Sequence, residues 1–156
     1  MKRFLTALCA LVAVGLLVPG SVAAGPAVVA NGGGNGTFDG VNSGSHFGFG
    51  VAYGASVRGH FECNMAGNAA FDGLHLMAVE GTVTSGTVNG TTGTATFAGT
   101  ATLHVDNQKS TIGFEVEIHE GGSLAGWLRL TVFGSPFGPV FTFPLEHVLT
   151  GQISIH

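Results

Sequence analysis

The chain predicts an all-β fold: a single antiparallel β-barrel, or a closed β-sandwich, of about eight to ten strands. Three observations predict it. From Thr37 onward apolar residues alternate in twos, as in a pleated sheet with one buried and one wet face. Turn-forming residues interrupt that alternation about every 10 residues. No stretch of the same region repeats apolar side chains at helical spacing.

The first element is not part of that fold. Met1-Lys2-Arg3 is basic, Phe4 to Pro19 is almost wholly apolar, and Ser21-Val22-Ala23-Ala24 is built of small residues. This layout predicts a secretory signal peptide over 1–24, cleaved near Ala23–Gly25, and hence a secreted, extracellular protein. Residues 25–36, centred on Asn31-Gly-Gly-Gly-Asn-Gly, read as a glycine-rich flexible lead-in. The antiparallel β domain is expected over 37–156.

Within it, strands are expected near 37–40, 45–54, 56–65, 73–79, 81–88, 93–105, 110–119, 123–133, 139–143 and 146–155. Phe47, Phe49, Val51 and Tyr53 share one face, with His46, Gly48, Gly50 and Ala52 opposite. Phe61, Cys63 and Met65 alternate with His60, Glu62 and Asn64. Phe97, Ala101 and Leu103 alternate with Thr96, Thr100 and Thr102, and Phe114, Val116 and Ile118 with Glu115, Glu117 and His119. Asn89-Gly90, Asn107 and Gly121-Gly122 fall between such runs and tolerate the positive φ of tight hairpins. A three-residue loop, Glu120 to Gly122, would pair Phe114 with Leu128 and keep apolar residues on one side. Gly134, Pro136, Gly138, Pro139 and Pro144 mark an irregular crossing before the final strand.

Composition narrows the function. Without Lys2 and Arg3 the cations are Arg58, Lys109 and Arg129, against nine acidic residues. Three scattered cations exclude nucleic acid, whose binding needs a clustered positive footprint, and disfavour an anionic membrane surface. No second apolar stretch reaches spanning length, so no membrane insertion of the processed chain is expected. Cys9 leaves with the signal peptide. Cys63 then stands alone and, by parity with Phe61 and Met65, belongs to the core.

Several stretches resemble an exported bacterial module, the post-COAP type of domain. They are the glycine-rich opening with Phe47-Gly-Phe-Gly, Val57-Arg-Gly-His-Phe, Gly93-Thr-Ala-Thr-Phe-Ala-Gly-Thr-Ala-Thr-Leu and Gly151-Gln-Ile-Ser-Ile-His. The likeness spans about Gly32 to His156. Of the family's acidic, glycine-containing turn only Glu120-Gly-Gly is matched, and Ser135-Pro-Phe-Gly-Pro departs from the pattern. The resemblance implies an exported all-β domain, often appended to other modules, and carries over no catalytic residue.

Reactive constellations are sparse. His60 and Glu62 share a strand face, as do Glu115, Glu117 and His119, so His60, Glu62 and His119 are the candidate metal ligands. There is no His-x-His pair and no His-Glu-x-x-His motif, and alternating polar residues on a wet face explain the same pattern. No metal or other cofactor is expected. No serine sits in a nucleophile elbow. Trp127 is the most suggestive side chain. The expected register places it across from Glu115, with Arg129 beside it, a trio able to stack on and hydrogen-bond a sugar ring or a partner surface. The first expectation is therefore a non-catalytic domain that binds or packs against an extracellular partner such as a glycan. A barrel holding a small apolar ligand, with room left by Gly59, Gly99 and Ala101, is the alternative. A secreted hydrolase or isomerase using His60, Glu62, Glu115 and His119 is a third.

Overall fold

Alternation becomes geometry in a computed structural model that describes residues 27–66 and 76–156. The strands are β1 (Val28–Thr37), β2 (Ser45–Tyr53), β3 (Arg58–Ala66), β4 (Leu76–Asn89), β5 (Thr94–Val105), β6 (Gln108–His119), β7 (Trp127–Ser135), β8 (Gly138–Thr142) and β9 (Glu146–Ile155). All pairings are antiparallel and belong to one sheet, ordered β6-β5-β4-β3-β2-β1-β9-β7-β8. β6 also pairs with β7, so the sheet closes on itself as a ring. β7 divides one edge between two neighbours. Trp127 and Leu128 pair with β9, while Thr131 to Ser135 pair with β8.

The inner positions are those that parity selects. Phe47, Phe49, Phe61, Phe97, Phe114, Leu103, Ile118 and Leu130 are all buried in one apolar core. Their rings touch in series: Phe49 with Phe97, Phe97 with Phe61, and Phe61 with Phe114, at centroid separations of 5.2, 5.8 and 5.5 Å. Cys63 is a free, fully buried thiol, as its parity predicts.

Three expectations need correction. The glycine-rich stretch expected to be a flexible lead-in is mostly β1, and the strand expected over 37–40 begins nine residues earlier, at Val28. β1 is a central strand, paired with β2 and β9 along its length. Its inner glycines make room for neighbours: a Cβ at Gly32 would sit 2.6 Å from the Phe49 ring. Residues 38–42 turn instead, because the Asp39 carboxylate accepts bonds from Thr37 Oγ1, the Val41 and Asn42 amides and Asn42 Nδ2. The expected break at Glu80 is also absent. β4 runs unbroken through it, pairing Glu80 with Glu62 and Thr102. The start of that expected strand, 73–75, and the signal peptide lie outside the described residues.

The third correction is the β6–β7 register. Ile118 pairs with Leu128 and Phe114 with Val132, and the loop runs from Glu120 to Gly126. It does not close at Gly121-Gly122 because those residues are engaged elsewhere. Gly121 forms a bridge with Ile153, Leu124 N donates to Val148 O, and Gly126 N donates to Gly122 O. The slip is an even number of residues, so the inner face survives while every cross-strand partner changes.

Candidate functional site

The corrected register rebuilds the surroundings of Trp127. Its partner across the ladder is His119, not Glu115. The two rings stack at 5.8 Å and 18°. His119 is itself held, its Nδ1 lying 2.8 Å from the Glu120 carbonyl oxygen. Trp127 is thus braced flat against a fixed ring and half-buried. Arg129 faces Glu117, and its Nε donates to Glu117 Oε2 at 2.9 Å. Arg129 Nη2 reaches the same oxygen, completing an exposed ion pair that leaves Glu117 Oε1 out of the contact. Glu115 stands one row further, between Ala98 and Thr131. Trp127 and Arg129 therefore remain together on the outer face, with His119 in the place expected of Glu115 and the nearby carboxylate supplied by Glu117 across from Arg129.

Trp127 and Glu117 border a concavity of about 370 Å³, whose polar lining is Thr87, Asn89, Thr94, Thr96 and Glu117, with Trp127 as its aromatic wall and Val88, Ala95 and Ile118 completing it. Thr87 and Thr96 are cross-strand partners with hydroxyls 2.9 Å apart. The β4–β5 turn that presents Asn89 is pinned by its own side chain: Asn89 Oδ1 accepts from the amides of Thr91 and Thr92. The floor is fixed from within, where the buried Tyr53 hydroxyl donates to the Thr96 carbonyl at 3.0 Å. Burial pushes that phenol up to about 12, so it remains a donor.

No known family pattern, curated protein or solved structure matches this chain.

The candidate metal ligands do not converge. His60 and Glu62 lie on the outer face of β3, across from Gly50 and Gly48 of β2. His119 is on β6, with β4 and β5 between. Among the described residues no group of three or more His, Cys, Asp or Glu is placed to hold a metal ion. The same separation splits His60 and Glu62 from Glu115 and His119 as a catalytic set. A Cβ at Gly59 or Gly99 would run into the backbone of the neighbouring strand, and Ala101 is buried in the core.

One inward cluster escapes the sequence reading. Glu146, the first residue of β9, is 2% exposed and points into the ring beside Ser45. Gly36 makes that possible, since a Cβ there would collide with the Glu146 carboxyl. Burial pushes the Glu146 carboxyl up to about 7, with Ser45 partly opposing. Among the described residues, no hydrogen-bond partner meets the buried Glu146 Oε1 or Ser45 Oγ. Burial, reinforced by the Glu146 charge, pushes the Cys63 thiol up to about 12, which makes it inert as a nucleophile. Parity held the clue: Glu146 precedes Val148 on the same face of the last strand.

Proposed function

We propose that the chain is an exported, non-catalytic β-barrel domain that binds a carbohydrate through its outer face around Trp127. The observation that carries this reading is Trp127 itself, braced by His119 at the wall of a concavity that sets hydroxyls, an amide and a carboxylate beside apolar surface from Val88, Ala95 and Ile118. Such a wall offers an apolar face to the C–H side of a sugar ring. Threonine, asparagine and glutamate between them donate to and accept from sugar hydroxyls. The Arg129–Glu117 pair holds the carboxylate in place without covering it. The outward face of the strands carries threonine, glutamate, histidine and arginine, unlike the apolar band of a membrane-spanning barrel. The amino-terminal layout and the post-COAP-type resemblance both support export.

A glycan panel read by calorimetry tests the reading. At least one neutral glycan is expected to bind, and Trp127→Ala to weaken that binding by about tenfold or more while leaving the circular-dichroism spectrum unchanged. Full affinity in the variant, or silence across the whole panel, overturns it.

A further inference from the structure

We infer that the Trp127 concavity is one end of a longer track along the outer face of β5, which seats a linear polysaccharide free of acidic groups. This rests on the carbohydrate reading above and extends it to a ligand class. A second concavity, of about 230 Å³, lies on the same face and is lined by Glu80, Thr82, Thr100, Thr102 and Thr111. The two are joined by β5, whose outward residues are Thr94, Thr96, Ala98, Thr100 and Thr102. Neighbouring strands widen the threonine row: Thr87 faces Thr96, Thr82 faces Thr100 and Thr111 faces Thr102. Between the concavities β5 carries the small Ala98, flanked by Ser85 and Glu115, and Gly113 beside Thr100 lies against the Phe133 ring.

Threonine suits this task. Its branched Cβ restricts χ1, so the hydroxyls stand ordered before any ligand arrives. At about 3.3 Å per residue, Thr94 to Thr102 covers about 26 Å. That length accommodates several sugar units and far exceeds a monosaccharide. Charge selects among the candidates. Glu80, Glu115 and Glu117 border the track, Glu62 stands directly across from Glu80, and Arg129 is already paired. Lys109 stands beyond Thr111 at the far end. A polyanionic chain would be repelled along most of this face.

Calorimetry with cello- and chito-oligosaccharides from dimer to hexamer, and with an acidic oligogalacturonide hexamer, tests the inference. Affinity for a neutral series is expected to rise by about tenfold from dimer to hexamer, equivalent to about 1.4 kcal/mol. The double variant Thr82→Val/Thr100→Val, matched in shape, is expected to lose that gain and keep the dimer affinity. Trp127→Ala is expected to weaken both. Length-independent binding that still needs Trp127 overturns the track and leaves the carbohydrate site standing. Binding of the acidic hexamer as tightly as the neutral one also overturns the track. Silence toward every oligosaccharide overturns both.

Discussion

At the scale of single residues, small side chains decide where large ones go. Gly81 of β4 lies under Phe114, and a Cβ there would stand 2.5 Å from the ring. Gly81→Ala is expected to destabilise the fold by about 1–3 kcal/mol through overpacking. Gly90→Ala, with nothing within 4 Å, is the matched control and is expected to be near neutral. Chemical denaturation of the two variants checks this. Glu146 supplies the pH dependence. Its folded-state value, about 7, lies above its ordinary 4.5, so the protonated form is favoured by folding. That contribution, about 3 kcal/mol, is complete below pH 4.5 and is lost as pH rises through about 7. Glu146→Gln is expected to flatten stability between those limits, as measured by denaturation at several pH values. An unchanged slope would exclude Glu146 as its source. Asp39 acts in the opposite sense. Its bonds from Asn42 and Val41 hold its carboxyl well below the usual range, so its contribution is present above its ordinary 3.8 and is lost progressively as pH falls below it.

At the scale of elements, the loop after β6 governs the site. Leu124 sits in it at φ +60°, is 54% exposed, and is held there by the bond from its amide to Val148 O. A branched residue in that conformation is strained by about 1–2 kcal/mol. Leu124→Gly is expected to raise stability by up to about 1 kcal/mol, because little apolar burial is lost. Thermal unfolding would show it. The same loop explains how far the sequence could be read. Period-two alternation placed Leu128 and Leu130 inside and Trp127 and Arg129 outside, because face depends only on parity. Cross-strand partners depend on where the loop ends, and that is set by Gly121 and Leu124 reaching β9, a contact remote in sequence. β1 was hidden for a related reason. Glycine has low strand propensity, and its value here lies in the space it yields to Phe49 and Glu146. Glu146 was hidden because a lone carboxylate on an inward position contradicts the rule that charges stay wet.

At the scale of the whole molecule, closure leaves few open edges. β9 joins β1 to β7, and β6 completes the circuit. β8 stands at the end of the strand order, and it carries Pro139, which has no amide hydrogen to offer another chain. The closure also knits the two extremities of the described domain together. Val29 N donates to His156 O and His156 N to Val29 O, both at 2.9 Å. The order of strands along the polypeptide is therefore not what holds the ring shut. A circular permutant that joins His156 to Ala27 by a short Gly-Ser linker and opens between Asp106 and Asn107 is expected to fold with the same β spectrum and a single cooperative melt. Loss of that melt would mean the native chain direction is needed to guide assembly.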